Sequence, residues 1–356
     1  MAVFSDIIGQ EQMKEHMQNA LSTGKVSHAY IIAGENGSGK EYIANIFAKA
    51  LQCKNRKIVE TPKGTYIEAC GECPSCVKAD SQSHPDIITI AHEKPNSMGV
   101  DDIREKLRDD VVIRPYESDY KIYVIPEGEK MTVAAQNALL KTLEEPPAYI
   151  VIIILTNNIN AFLPTITSRC ITLPIKPVKD EDIQKYLMEK CQVVDYKAML
   201  CASFARGNVG KALELASNSR FEDLKNGTIE LVSKLGNLEI HDIMDRVHSL
   251  LEPEEENAKT SKKGIDQVSL EDFLDILLFL FRDMLVYKST ESDEHLIFTD
   301  KIAYIRSVTQ KCTYDSINQV IRDLDTAKNR INSNVNIDLS LELMLLGIKE
   351  KLMFKA

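Results

Sequence analysis

Over its first half the chain alternates between short unbroken apolar runs and longer segments whose apolar positions recur with the period of a helix. The runs are "AYIIA" (Ala29–Ala33), "DIITI" (Asp86–Ile90), "KIYVI" (Lys121–Ile125), "YIVIIIL" (Tyr149–Leu155) and "CITLP" (Cys170–Pro174). Each is rich in β-branched residues and reads as a strand buried on both faces. Between them, "VDDIREKLRDDV" and "TVAAQNALLKTLEE" have helical spacing, and Pro146-Pro147 ends the second because proline cannot continue the hydrogen-bond ladder. Strands alternating with helices predict an α/β domain with a parallel sheet covered on both sides. After "LPIKPVKDEDI" the strand signals stop and everything from about Lys179 reads as helix, with Gly207 and Gly210 as expected breaks. The polar stretch Leu251–Gln267, which holds Pro253, has no apolar period and reads as a linker before a last helical block, from about Ser269 to Lys355.

Composition changes this picture little. The 356 residues are 44% hydrophobic and 27% charged, enough for two or three domains of ordinary globular character. A net charge of −10 argues against a surface that grips nucleic acid throughout, since counterion release needs clustered Lys and Arg. "MAVFSDIIGQEQ" shows no basic stretch followed by an apolar one, and "ILLFLF" and "YIVIIIL" are too short to span a bilayer. The expectation is a cytoplasmic chain that makes no use of a membrane.

The first strand runs into "GENGSGKE", where Gly34, Gly39 and Lys40 stand as in the phosphate-binding loop G-x-x-x-x-G-K-[ST]. Such a loop works by aiming backbone amides at phosphates from a helix N-terminus, with the lysine adding charge and the hydroxyl holding Mg²⁺. Here the hydroxyl is replaced by Glu41, which adds like charge beside a polyanion. A second requirement is an acidic residue at the end of a neighbouring strand to hold the metal, with a glutamate next to it to polarise water. "KIYVIPEGEKM" puts Pro126 at the metal position and Glu127 at the other, with Glu129 further along on a glycine-containing turn. Two metal-holding positions have failed separately, so ATP is expected to be unbound or unhydrolysed at the degenerate loop. A kinase reading finds no acceptor-activating base beside the loop.

Four of the eight cysteines cluster: Cys53, Cys70, Cys73 and Cys76, spaced C-x16-C-x2-C-x2-C. In a reducing compartment that spacing suits a tetrahedral Zn²⁺ held by four thiolates, a structural site with no open position. An iron–sulfur cluster and unligated cysteines are the alternatives. A zinc-dependent DNA-binding module is disfavoured by the overall charge and by the lack of interleaved basic and aromatic residues near Cys70–Cys76. Cys170, Cys191, Cys201 and Cys312 are scattered and read as ordinary buried residues.

Phe4–Lys40, the cysteine insertion, "AAQNALLKTLEEPP" (Ala134–Pro147) and "LPTITSRC" (Leu163–Cys170) together resemble bacterial clamp-loader subunits of the AAA+ class, over roughly the first 215 residues. The resemblance implies a RecA-like AAA+ domain over 1–176 with a zinc insertion at about 53–76. It further implies a helical lid over 177–250, a linker over 251–267 and a C-terminal helical collar domain over 268–356. The family contains active ATPases, the gamma/tau subunits, and rigid partners that have lost nucleotide chemistry. Glu41, Pro126 and Gly210, the last standing where an ATPase of this family places a sensor arginine, fit the second kind; an active gamma/tau-like ATPase is the alternative. Asn157 and Asn158 match the sensor 1 region. Arg169, in "TSRC", would be an arginine finger reaching a neighbouring subunit's ATP, against the simpler reading of a local salt bridge. The implied partners are gamma/tau and delta subunits in a hetero-oligomeric ring, and through it the sliding clamp and primed DNA.

Overall fold

Val, Ile and Tyr crowd into strands because their side chains suit a pleated surface that is covered on both sides. The computed structural model describes residues 2–61, 64–92, 94–252, 267–333 and 335–352. Its strands are β1 (Ala29–Ala33), β2 (Lys57–Thr61), β3 (Gly64–Glu68), β4 (Ile87–Thr89), β5 (Lys121–Ile125), β6 (Ile150–Thr156) and β7 (Ile171–Pro174). Five form one sheet in the order β4-β5-β6-β1-β7, every neighbouring pair parallel. All five are the runs expected from the sequence, shifted at their ends by a residue or so. β2 and β3 pair antiparallel as a separate hairpin that the hydrophobic pattern did not predict. The reason is plain: β2 is exposed along nearly its whole length, so no alternation marks it.

The chain divides into two compact units. The first comprises residues 1–192 with 205–213. Its helices are α1 (Glu11–Thr23), α2 (Lys40–Gln52), α3 (Pro74–Asp80), α4 (Val100–Ile103), α5 (Val133–Glu144), α6 (Pro164–Thr167) and α7 (Asp180–Cys191). Successive strand residues face opposite sides of the sheet. Ile32, Val124 and Ile153 pack with Met17 of α1 and Phe47 of α2. Ile31, Tyr123 and Ile152 pack on the other side with Leu139 and Leu143 of α5. The helix expected over 100–111 starts as α4 and widens into a π-type turn at Arg104–Arg108. Because β1, β5 and β6 are parallel, the loops that follow them emerge at one edge, where ligands bind in open α/β sheets. Those three loops carry the phosphate-loop motif, Pro126–Glu129 and Asn157–Asn158.

The second unit comprises residues 193–204 with 214–356, and its described part is helical. α8 (Asp195–Ala205) and α9 (Val209–Ser217) each cross the division, and α10 (Arg220–Lys234), α11 (Ile240–Leu251), α12 (Gln267–Thr290), α13 (Ile302–Thr309), α14 (Tyr314–Asn332) and α15 (Ile337–Leu352) follow. α12 is the axis: Phe273, Ile276, Leu277, Leu280, Phe281 and Met284 are all fully buried, and α10, α13 and α14 pack on it. Of the expected linker, residues 253–266 lie outside the described residues. Two residues depart from expectation: Gly210 is inside α9, not at a break, and Cys191, expected to be buried, is exposed because it ends α7. No helix among the described residues is long and apolar enough to cross a membrane.

One buried carboxylate closes the turn after α12. Asp283, wholly buried, accepts from the amides of Ile297 and Phe298, each at 2.8 Å. Asp283→Ala leaves both donors unpartnered and should cost about 2–4 kcal/mol. Asp283→Asn, which keeps an acceptor oxygen, should cost less. Urea unfolding midpoints of the two variants check this order.

Candidate functional site

The phosphate-loop motif folds as such a loop should, between the end of β1 and the start of α2. Gly37 and Gly39 take φ of 75° and 87°, a left-handed conformation that glycine enters without strain. The lysine is where the structure becomes informative. Lys40 Nζ donates to the carbonyls of Gly34 and Glu35, both at 2.7 Å, so its charge is turned back onto the loop itself. Burial lowers the Lys40 pKa, opposed by the nearby carboxylates of Glu129, Glu41 and Glu35. A cleft of about 440 Å³ opens beside it, lined by Asn36, Lys40, Glu41, Glu127, Glu129 and Leu155. Three carboxylates thus share one cleft with one lysine, an arrangement poorly suited to a triphosphate without extra cations.

The turn after β5 explains what became of the metal and water positions. Pro126 offers no metal ligand. Glu127 sits at φ 49°, unusual for a residue with a Cβ, and its carboxylate is engaged on both oxygens. Lys130 Nζ lies 2.7 Å from Oε1, and His92 Nε2 lies 2.7 Å from Oε2. The hydrogen bonds from Lys130 and then His92 hold the Glu127 pKa below the usual carboxylate range. Glu129 points the other way, toward the loop: its Oε2 accepts from the amide of Asn157 at 3.3 Å. Asn157 Nδ2 donates in turn to Asn36 Oδ1, also at 3.3 Å. Asn158 is spent locally, its side chain capping a short turn by accepting from the Asn160 amide.

The loop is also closed from above by the segment that enters α9. Gly210 N donates to Gly37 O at 3.0 Å, and Asn208 Nδ2 donates to Asn36 O at 2.7 Å. A Cβ at Gly210 would stand 2.1 Å from the Gly37 carbonyl oxygen, so only glycine fits. That close approach, and not a helix break, is the reason for the residue. A second, apolar cleft of about 200 Å³ flanks the loop, with Ile7, Ile8, Tyr42, Ile175, Val209 and Leu213 among its lining.

The four cysteines converge as expected. Their Sγ atoms all lie within 4.8 Å of one another, and Cys70 Sγ is 3.9 Å from Cys76 Sγ. Metal–sulfur bonds of about 2.3 Å in a tetrahedron put sulfurs about 3.8 Å apart, so the set can hold one metal ion. Backbone amides already favour thiolates here: Cys70 N donates to Cys53 Sγ at 3.2 Å and Cys73 N to Cys70 Sγ at 3.3 Å. Burial raises the Cys70 pKa, but hydrogen bonds from the Cys73 and Glu72 amides and from neighbouring thiols outweigh it and bring it to about 6. Burial pushes Cys53 and Cys76 up instead. Cys53 caps the C-terminus of α2, the helix whose other end forms the loop at Lys40. The hairpin leading to Cys70 holds the chain's start: Glu68, nearly fully buried, accepts from the amides of Phe4 and Ser5 at 2.8 and 2.9 Å. Gln18 of α1 donates to and accepts from the backbone of Ile67.

Arg169 follows the short helix α6 and is partly exposed. Its Nη2 lies 2.9 Å from Glu144 Oε1, and its Nη1 donates to the Thr165 carbonyl at 2.9 Å. A local salt bridge is therefore present, as the simpler reading of this arginine expected. The loop before α6 is clasped by buried Gln136 of α5, whose Oε1 accepts from Leu163 N at 2.8 Å and whose Nε2 donates to Ala161 O at 3.0 Å. Neither Gln136 nor Glu144 was singled out from the sequence, although both lie in the "AAQNALLKTLEEPP" segment. They act through contacts made by folding, for which helical period carries no signal.

Two family models match this chain. One described as "DNA polymerase III, delta subunit" matches residues 9–179, and one described as "DNA polymerase III, delta subunit, C terminal" matches residues 257–350. The chain is similar to DNA polymerase III subunit delta' of Bacillus subtilis, 29% identical over 96% of each chain. It is also similar to DNA polymerase III subunit tau of the same organism, 32% identical over 84% of this chain, and spans about half of that relative's length, 53%. Among solved structures, a gamma subunit-related protein of Thermotoga maritima aligns over 96% of this chain and 99% of that one, at 21% identity and a TM-score of 0.46. The chain belongs to the family of DNA polymerase III clamp-loader subunits.

The cysteine geometry predicts about one metal ion per purified chain, lost with Cys73→Ser. Elemental analysis by plasma mass spectrometry checks it. A metal-free native chain with all four thiols titratable would contradict it.

Proposed function

We propose that the chain is a delta-prime-type subunit, a non-hydrolysing member of the clamp loader that helps place the sliding clamp on primed DNA. The observation that carries this reading is the internal engagement of the two groups an ATPase would need. Lys40 is bonded to its own loop, and Glu127 is paired with Lys130 and His92. Pro126 and Glu41 remove the two metal-holding positions beside them. The chain then contributes to the DNA polymerase III holoenzyme without an ATPase activity of its own. Its place is in the cytoplasm, in a hetero-oligomeric ring with gamma/tau and delta subunits.

Arg169 is the group offered to a neighbour. A guanidinium beside a transferring phosphoryl group stabilises charge spreading over its oxygens, and in other NTPases such a residue supplies about 10³–10⁵ in rate. The four cysteines hold a structural Zn²⁺ whose role is to fix the hairpin and, through Glu68, the chain's start. The proposed domains are the AAA+ domain over 1–176, the lid over 177–250 and the collar over 268–356, joined by the linker at 251–267. One observation favours an active gamma/tau-like ATPase instead: Glu41 and Glu129 line the same cleft as Lys40 and offer two carboxylates to a metal.

Arg169→Ala tests the finger. The variant should fold normally by circular dichroism and thermal melting, yet lower ATP turnover of the complex reassembled with gamma/tau and delta subunits by at least about tenfold, well within the range such residues span. Unchanged turnover would reject it.

A further inference from the structure

The guanidinium of Arg169 is held by its own chain in a way that a phosphoryl group would have to undo. Both terminal nitrogens are engaged, Nη2 on Glu144 Oε1 and Nη1 on the Thr165 carbonyl. Of these partners only Glu144 is an anion. A carboxylate oxygen and a phosphoryl oxygen seek the same donors of the same planar fork. The Thr165 carbonyl carries no net charge and can stay bonded while Nη2 changes partner.

The backbone around the arginine leaves little else to move. Gln136 fixes Ala161 and Leu163 ahead of α6, and Arg169 N itself donates to Ile166 O at 3.0 Å. Glu144 stands at the far end of the same helix as Gln136, so α5 holds the segment at one end and the side chain at the other. The pair is open to solvent, with side-chain exposures of 36% for Arg169 and 51% for Glu144. Exposed pairs of this kind are weak and screened by salt, which is what a reversible hold requires.

We propose that Glu144 is a holding carboxylate that competes with a neighbour's phosphoryl oxygens for Arg169, so that the finger is released when the nucleotide on the next subunit takes its place. This rests on the reading of Arg169 as a finger. Glu144 is a positioning residue, since it acts through the arginine and touches no nucleotide.

Glu144→Gln keeps the shape of the side chain and removes its charge. In the reassembled complex at low salt it should raise ATP turnover about two- to fivefold, the scale of an exposed ion pair. In an Arg169→Ala background it should change nothing. In the isolated chain the same variant should speed phenylglyoxal labelling of Arg169, read by mass spectrometry, by a similar factor. That gain should vanish near 1 M salt, where the screening length is about 3 Å. Because Glu145 is adjacent and exposed, Glu144→Gln/Glu145→Gln is measured alongside, so that a substitute carboxylate cannot mask the effect. Turnover or labelling that is unchanged or slowed in both variants, while Arg169→Ala still impairs the complex, overturns the hold and leaves the finger standing. An Arg169→Ala complex with normal turnover rejects the finger and the hold together.

Discussion

Everything about the nucleotide-type site depends on how the loop between β1 and α2 satisfies its own polar groups. In a loop that binds phosphate, the lysine and the inward amides face a ligand. Here the Lys40 ammonium is bonded to the carbonyls of Gly34 and Glu35, and the Gly37 carbonyl is taken by the amide of Gly210. The second bond is possible only because residue 210 has no Cβ. While those bonds are made, a polyanion entering the loop would have to draw Lys40 away from two carbonyls before gaining its charge. The carboxylates of Glu41 and Glu129 in the adjoining cleft add to that cost.

The rest of the first unit reads as support for surfaces other than that loop. α2 runs from the loop to Cys53, so one rigid element joins the closed site to the cysteine cluster. The hairpin beyond Cys53 returns to Cys70 and grips the start of the chain through Glu68. On the opposite face of the sheet, α5 gathers the segment around Arg169 at both of its ends. Lys40 is turned back onto its own loop and Glu127 onto Lys130 and His92, while Arg169 pairs with Glu144 at the surface.

Much of this was legible in the sequence, for identifiable reasons. Strands buried on both faces leave continuous apolar runs, and all five sheet strands were found that way. The glycines and Lys40, the proline at 126 and the spacing of Cys53, Cys70, Cys73 and Cys76 speak through residue type alone. What escaped were features made by tertiary contact. The hairpin β2–β3 is too exposed to alternate. Gly210 reads as a break in the sequence because a close backbone approach and a helix terminator call for the same residue. The pairing of Glu127 with His92 joins residues 35 positions apart, and the salt bridge of Arg169 with Glu144 crosses from one helix to the turn after another. No periodicity could have announced either.

The most direct test is a titration of the purified chain with labelled ATP and Mg²⁺, followed by a turnover assay on the same sample. A loop whose lysine is held by its own carbonyls, beside the carboxylates of Glu41 and Glu129, predicts no saturable binding at micromolar ATP and no hydrolysis above background. Tight binding with turnover would contradict it: Lys40 would then leave its carbonyls readily, Glu41 and Glu129 would be holding the metal, and the chain would be an active ATPase of the gamma/tau kind.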